Sequence, residues 1–320
     1  IYQLIMHGRS QTGLVCASSI DDYENDIIKK HEFTRPEKEL DRINHIKTSG
    51  AQTGNVFLAY RNNESLDALI ENWKKTKTAV YDFVADDQIQ HTIWVVNDTS
   101  TIDNITAIFN NEIPCTYIAD GHHRAASAAK VRTALGANAT KNADYFLTTL
   151  FPSNQLYIMD YNRVVKDLNG LTAEAFIEAV STKFEIEQLA KEPFKPAALH
   201  ELGMYINGCW YQLTAKPGTY TDDPIGILDV TILQNNILDA ILGISDPRTD
   251  ARVDFVGGIR GLQVLADRVD SGQFAAAFSL YAVTIDQLFA IADSGNVMPP
   301  KSTWFEPKLR DGLLTHLIYE

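Results

Sequence analysis

Apolar residues follow two periods along this chain, one typical of strands and one typical of helices, and stretches with the two periods alternate. Short runs rich in β-branched and aromatic residues, typical of buried strands, lie at 1–6, 13–18, 55–60, 91–96, 116–119 and 145–151. Apolar positions three and four residues apart, typical of amphipathic helices, lie at 65–75 and 101–109, and an alanine-rich helix is predicted at 125–135. Gly8 marks a hairpin between the first two strands, and Ser65 is a suitable N-cap.

The second half of the chain alternates in the same way. Strand-like runs lie at 155–165, 253–256 and 274–283, and a hairpin is predicted at 205–213 around Asn207-Gly208. Helical spacing is present at 172–183, 228–242 and 285–292. Because strands and helices interleave throughout, the pattern predicts an α+β (mixed α/β) fold.

The length of 320 residues corresponds to two domains of ordinary size. The loop at 151–154 is the predicted boundary, which gives an α+β domain at 1–151 and a second α+β domain at 152–320.

Acidic residues outnumber basic ones by 41 to 28, so the formal net charge is −13. Such a surface repels phosphate backbones, which argues against a general binder of nucleic acid or of anionic membranes. The sequence has no run of 18 apolar residues, so we expect no membrane span. Its three cysteines are far apart and form no CxxC pair, which favours buried, reduced thiols in a cytoplasmic protein.

The densest group of ionisable residues is Asp120-Gly121-His122-His123-Arg124, between a predicted strand and a predicted helix. The start of a helix attracts phosphate, and glycine lets the backbone approach a ligand closely. Arg124 could grip a phosphate through two hydrogen bonds, and the histidines could donate or titrate near neutral pH. The alternative is an ordinary turn whose histidines form local hydrogen bonds.

A second charged segment covers residues 29–42, where nine of fourteen residues are charged. Pro36 can start a helix there, and the pairs four residues apart, Glu37 with Asp41 and Lys38 with Arg42, carry like charges, which a purely structural helix tends to avoid. Glu32, preceded by His31, is a candidate general base. The candidate phosphate ligands are Arg35, Lys38 and Arg42. The alternative is a solvated helix.

A third segment, at 298–313, has three prolines within ten residues, which predicts a rigid loop. We expect the loop at 298–308 to return from the domain at 152–320 to the site, where Lys301 and Ser302 are donors suited to phosphate. Packing of the chain terminus is the alternative. The HExxH zinc motif fails at His31-Glu32, because Arg35 stands where the second histidine would be. We therefore predict no metal-ligating residues.

These three segments resemble the hallmarks of the domain-of-unknown-function family 1015 and keep the order of that family. Members of the family begin with a further segment, so the resemblance, together with the start of this chain at Ile1 inside a strand-like run, implies that an upstream segment precedes it.

The turn at Asp120–Arg124 is also similar to the phosphate-binding turn of the ParB and sulfiredoxin superfamily, where Gly121, His123 and Arg124 match the pattern. Free serine kinases of that superfamily carry a similar Asp-Gly-His-His-Arg turn and phosphorylate free L-serine. This resemblance implies a ParB/sulfiredoxin-like fold for the N-terminal part.

Residues and resemblances together give one main hypothesis, a phosphotransferase for a small molecule. Its substrate would be serine or phosphoserine, and its phosphate donor would be ATP, ADP or pyrophosphate. Mg²⁺ would assist the phosphate transfer, and the reaction could run in either direction. The catalytic candidates are Glu32, His31, Asp120 and His123. The phosphate-binding candidates are Gly121, His122, Arg124, Arg35, Lys38, Arg42, Lys301 and Ser302. The alternatives are a ParB-like nucleotide-binding regulator or DNA-partition protein, a nucleotide sensor without turnover, and a sulfiredoxin-like reductase; the oligomeric state stays open.

Overall fold

A computed structural model describes residues 1–189, 192–306 and 308–319. These residues form eighteen strands and nine α-helices. The strands of the first half are β1 (Tyr2–Met6), β2 (Arg9–Ser19), β3 (Ile28–Lys29), β4 (Ala51–Gln52), β5 (Val56–Tyr60), β6 (Tyr81–Val84), β7 (Gln90–Ile93), β8 (Thr116–Asp120) and β9 (Tyr145–Pro152). The later strands are β10 (Tyr157–Met159), β11 (Tyr161–Val165), β12 (Phe184–Gln188), β13 (Glu201–Ile206), β14 (Cys209–Ala215), β15 (Val253–Gly257), β16 (Ala276–Leu280), β17 (Trp304–Glu306) and β18 (His316–Leu317).

The helices interleave with these strands, which confirms the predicted α+β class. They are α1 (Ile20–Glu24), α2 (Pro36–Ser49), α3 (Glu64–Thr76), α4 (Thr99–Glu112), α5 (His122–Leu135), α6 (Ala173–Ser181), α7 (Asp229–Leu233), α8 (Gln263–Asp270) and α9 (Ile285–Asp293). Within the described ranges, no helix is both long enough and apolar enough to cross a bilayer.

The chain folds as two compact units. The first contains Ile1–Tyr157 together with Phe305–Glu320, and the second contains Ile158–Trp304. The first unit therefore extends past the boundary predicted at 151–154, because Gln155 and Leu156 bond back to its second strand: their carbonyls accept from Gln11 and Arg9. The residues from Phe305 onward also belong to the first unit, whereas the sequence assigned them to a domain at 152–320 whose C-terminal loop was expected to return to the site.

The first unit is built on a mixed eight-stranded sheet in the order β3-β8-β5-β9-β2-β1-β7-β6. In its centre β5 runs antiparallel to β8 and parallel to β9. Side chains from α3, α4 and α5 form one core cluster with Val56 and Leu58 of β5, so these helices cover the face to which those two residues point. Ala125, Ala128 and Ala129 of α5 belong to this cluster, because small side chains let the helix approach the sheet closely.

The second unit is built on an antiparallel six-stranded sheet in the order β12-β14-β13-β16-β11-β15. Residues of α8 pack with this sheet around Trp210, which is fully buried. The helix predicted at 228–242 is split, since α7 passes into a π-helical segment, Gln234–Asp239.

Two local expectations were wrong. The N-cap of α3 is Asn63, whose side chain accepts from the backbone N–H of Leu66, so Ser65 lies inside the first turn. The thiols are unlinked but not buried: Cys16 is exposed and Cys115 and Cys209 are half-buried. Cys16 contacts the polar side chains of Ser18 and Thr148 rather than an apolar core.

Candidate functional site

The turn at Asp120–Arg124 joins β8 directly to α5, with Gly121 as the N-cap of the helix. Gly121 has a φ of +103°, in the region where other residues are strained. A Cβ placed on it would lie 2.9 Å from both Nε and Nη2 of Arg124. The backbone conformation therefore requires glycine here, and a Cβ at this position would also have to displace the guanidinium of Arg124.

The side chain of Arg124 lies between two glycines, Gly121 at its guanidinium and Gly54 at its Cδ. A Cβ on Gly54 would lie 3.1 Å from Cδ of Arg124 and 2.8 Å from Oδ1 of Asp311. The ion pairs of Arg124 are long, at 4.0 Å to Asp120 and 3.9 Å to Asp311. Its Nε is buried and has no hydrogen-bond partner among the described residues. Since a buried donor without a partner is costly, the arrangement suits an anionic ligand.

A small cleft, with a volume of about 40 Å³, opens beside this guanidinium within the first unit. Its walls include Arg42 and His45 of α2, Thr53 and Gly54 of the loop before β5, Arg124, and Asp311. Two arginines thus face one small space on a chain whose net charge is −13. The sequence had singled out Arg42 and Arg124, but not His45, Thr53, Gly54 or Asp311.

The start of α2 is fixed to the same turn through His123. The backbone N–H of Arg35 donates to Nε2 of His123 at 3.0 Å, so the neutral ring carries its proton on Nδ1. Burial lowers the pKa of His123, and the positive charges of Lys38, Arg35 and Arg42 lower it further against the opposing effect of Glu39. The structure therefore brings the three basic residues predicted on this segment close to His123.

Glu39, which the sequence did not single out, anchors α2 onto α5. Its carboxylate is buried and bonds to the hydroxyl of Thr34 and to Nζ of Lys130. The hydroxyl of Ser127 also donates to the backbone carbonyl of Glu39 at 3.2 Å. These contacts, rather than helix propensity, hold the basic residues of α2 near the start of α5.

Glu32 lies beside the second histidine of the turn. Its Oε2 is 3.6 Å from Nδ1 of His122, while Nε2 of His122 accepts from the backbone N–H of His31 at 3.4 Å. Burial, reinforced by the neighbouring His31 and His123, holds the pKa of His122 well below its ordinary value. The neutral ring thus directs its Nδ1 proton toward the half-exposed carboxylate of Glu32.

His31 is only 3% exposed, and its ring packs edge-on against that of His122, with centroids 4.5 Å apart. Burial lowers the pKa of His31 to about 4, so this ring is neutral at pH 7. In this position His31 supports His122 and the backbone that carries Glu32.

The C-terminal segment supplies further charged groups to the first unit. Nζ of Lys308 lies 3.3 Å from Oδ2 of Asp120, and Arg310 bonds to Asp87 and to Nε2 of His91. The sequence predicted phosphate contacts from Lys301 and Ser302 instead. These two residues belong to the second unit, where Nζ of Lys301 lies 5.7 Å from the ring centre of Tyr161 and Ser302 donates to the carbonyl of Pro299. Their role as phosphate ligands stays a prediction.

Metal-binding side chains are not clustered in the described part of the chain. No group of three or more His, Cys, Asp or Glu residues there is arranged to hold a metal ion.

Comparison with solved structures gave several similar chains of low sequence identity. A free serine kinase, solved as a point mutant in complex with AMP, is 12% identical, covers 92% of this chain and 87% of its own, and has a TM-score of 0.46. C-terminally truncated SbnI from Staphylococcus aureus is 11% identical over 95% of this chain and 87% of its own, with a TM-score of 0.47. A conserved hypothetical protein from Pyrococcus furiosus is 13% identical over 93% of each chain, with a TM-score of 0.42.

No curated protein matched the sequence. The family model described as "Protein of unknown function (DUF1015)" matches residues 1–231, a range that includes the first two motifs singled out above. This match covers well over half of the chain and confirms the family that the motifs predicted. The chain therefore belongs to the DUF1015 family of proteins of unknown function.

Proposed function

We propose that this protein is a nucleotide- or phosphate-dependent phosphotransferase for a small molecule, with serine or phosphoserine as the best candidate substrate. One observation carries the proposal: the buried Nε of Arg124 lacks a partner among the described residues, beside a cleft that Arg42 also lines. Two arginines next to the start of α5 provide the donors and the positive charge that a terminal phosphate requires.

The residues around the cleft suggest a division of roles. The backbone at Gly121 and His122 and the guanidinium of Arg124 would hold the phosphates, and Arg42, Arg35 and Lys38 would neutralise the charge that develops during transfer. The phosphate donor would be ATP, ADP or pyrophosphate. Any Mg²⁺ would enter with the nucleotide, because Mg²⁺ is commonly held by substrate phosphates, waters and one or two carboxylates.

Glu32 is the proposed general base of the transfer. Its carboxylate would accept the proton of the acceptor hydroxyl while that oxygen bonds to phosphorus and the bond from phosphorus to the donor oxygen breaks. The neutral His122 would orient Glu32 through its Nδ1 proton, and His31 would hold His122 in place. His123 would act by positioning the backbone of Arg35. The reverse reaction would use the same groups.

Nucleotide binding is the first test of this proposal. Titration calorimetry of the full chain with ADP, ATP and pyrophosphate should show binding that Arg124→Ala weakens about 10- to 150-fold, as expected for a hydrogen bond to a charged group. Arg248→Ala, which removes an exposed arginine of the second unit, should bind as the unmodified chain does. Equal affinity of the Arg124 variant and the unmodified chain would contradict the phosphate role.

Turnover is the second test. With serine, a phosphate donor and Mg²⁺, the chain should form phosphoserine, and the reverse reaction should consume it. Glu32→Gln should lower the rate about 10²- to 10⁴-fold while leaving nucleotide affinity unchanged, because a general base acts on the transfer and not on the phosphates. Nucleotide binding without turnover in either direction would instead favour the nucleotide-binding regulator.

A further inference from the structure

Asn55 is a buried amide on the face of the eight-stranded sheet opposite α3, α4 and α5. Asn55 directly precedes β5, along which side chains alternate: Val56 and Leu58 point toward the helices, and Phe57 points the other way. The same alternation, continued one residue back, places Asn55 on the side of Phe57. Asn55 is 1% exposed, and neither its Nδ2 nor its Oδ1 has a hydrogen-bond partner among the described residues. Buried amide groups are normally satisfied, so this pair of atoms indicates a polar partner outside the chain.

Two more polar residues share this sheet face. Phe57 pairs with Thr149 on β9 and with Asp120 on β8, where the register shifts between Phe57 and Leu58 and leaves Ala119 as an extra residue on β8. Residues paired across strands, and the residues of a β-bulge with the residue opposite them, project on the same side of a sheet. Neighbouring strands are about 4.8 Å apart, so Thr149 and Asp120 lie about 10 Å apart, with Asn55 two residues along the central strand. Thr149 is fully buried, and its Oγ1 also lacks a partner among the described residues.

Next to these polar residues, the first unit carries one negative and one positive charge side by side. Asp120 and Lys308 form an ion pair at 3.3 Å, and both are half-exposed. Phe57 lies between the polar residues and packs against Phe305, with ring centres 6.0 Å apart. The arrangement is an apolar floor bordered by an amide, a hydroxyl, a carboxylate and an ammonium group, all contributed by the first unit.

We propose that Asn55, Thr149, Asp120 and Lys308 bind the zwitterionic end of a free α-amino acid. An α-ammonium group only donates, which matches Asn55 Oδ1 and the carboxylate of Asp120. An α-carboxylate only accepts, which matches Asn55 Nδ2, the hydroxyl of Thr149 and Nζ of Lys308. This inference rests on the proposed phosphotransferase and identifies its acceptor class, because Asp120 ends in the same turn that carries Arg124.

The first experiment tests the ligand class by titration calorimetry on the full chain. The probes are L-serine, L-threonine and L-homoserine, compared with N-acetyl-serine and serinamide, which lack the ammonium and the carboxylate respectively. At least one of the amino acids should bind, and the two blocked derivatives of serine should bind at least 10-fold more weakly than serine. Absence of binding by all three amino acids, or equal binding of the blocked derivatives, would overturn the inference.

The second experiment tests the residues. Asn55→Leu has a similar volume and removes the unsatisfied amide, so it should keep or raise the thermal stability while lowering amino-acid affinity at least 10-fold. Lys308→Met changes a half-exposed side chain, so it tests the site even if the Asn55 variant fails to fold, and it should lower amino-acid affinity in the same way. The control is Lys47→Met, which changes an exposed lysine on α2 and should leave amino-acid affinity unchanged. Amino-acid binding unchanged in both Asn55→Leu and Lys308→Met would refute the assignment.

ADP binding, measured in the same samples, separates this inference from the proposed function. The Asn55 and Lys308 variants should bind ADP as the unmodified chain does. ADP binding without amino-acid binding would refute the acceptor site alone. Amino-acid binding that depends on Asn55, in a chain that binds neither nucleotide nor pyrophosphate, would support the site and refute the phosphotransferase.

Discussion

His31 should make this protein lose stability as the pH falls below 6.5. Its pKa is about 4 in the folded chain, against an ordinary value of 6.5 that applies to the unfolded chain. Because the folded pKa is the lower one, the unfolded state takes up the proton first, and acid favours unfolding. The stabilisation is fully present above pH 6.5 and is lost as the pH falls toward 4.

The size of the effect follows from these two values. At about 1.4 kcal/mol for each pH unit, the full interval amounts to about 3 kcal/mol, of which about 2 kcal/mol is lost between pH 7 and pH 5. His31→Phe keeps a flat ring against His122 but cannot titrate, so this variant should keep the part of the stability that the unmodified chain loses.

Urea unfolding at pH 7, 6 and 5 measures the difference. The free energy of unfolding of the unmodified chain should fall relative to that of His31→Phe by about 2 kcal/mol over this range. His122 is present in both chains, and burial, the largest cause of its low pKa, is kept in His31→Phe, so most of its contribution is common to both. His31→Leu should give the same pH dependence as His31→Phe. Parallel curves for all three chains would refute the buried, neutral imidazole.

Two further predictions concern the turn and the contact between α2 and α5. Gly121→Ala should cost about 1–3 kcal/mol of unfolding free energy and displace the guanidinium of Arg124, so that ADP affinity falls. The control is Gly136→Ala at the other end of α5: this position also has a positive φ, but a Cβ there meets no atom within 4 Å, so ADP affinity should be unchanged. Equal ADP affinities of the two variants would contradict this steric argument. Lys130→Met should leave the buried carboxylate of Glu39 with one partner fewer and cost about 1–3 kcal/mol in thermal or urea unfolding, whereas a change below about 0.5 kcal/mol would show that this contact does not anchor α2.

The sequence predicted the local structure around Asp120–Arg124 well, for a physical reason. A buried strand, a glycine and an alanine-rich stretch determine a strand-turn-helix through short-range effects alone. The helix boundaries were less certain, because Asn63 and Ser65 are both good N-cap residues and only the bond from Leu66 N–H to Asn63 distinguishes them. The π-helical segment after α7 was missed because its apolar spacing resembles that of a longer α-helix.

The candidate site was only partly accessible from the sequence. Arg35, Lys38 and Arg42 were expected to accompany Arg124 because of their charge and residue type, and the structure places them near His123. Asn55 was not expected, because a single asparagine before a strand carries no signal until its burial and its missing partners are known. Those properties depend on the pairing of β5 with β8 and β9, which no local pattern encodes.

The return of the C-terminal segment to the first unit has a consequence for synthesis of the protein. Lys308 and Asp311 emerge from the ribosome after the whole second unit, which is about 150 residues long. At typical translation speeds of 5–20 residues per second, the first unit waits roughly 7–30 s for these residues after Tyr157 has been made. A nascent chain at that stage would therefore lack both the ion pair between Asp120 and Lys308 and one wall of the cleft, and ligand binding at these positions would begin only after the whole second unit has been made.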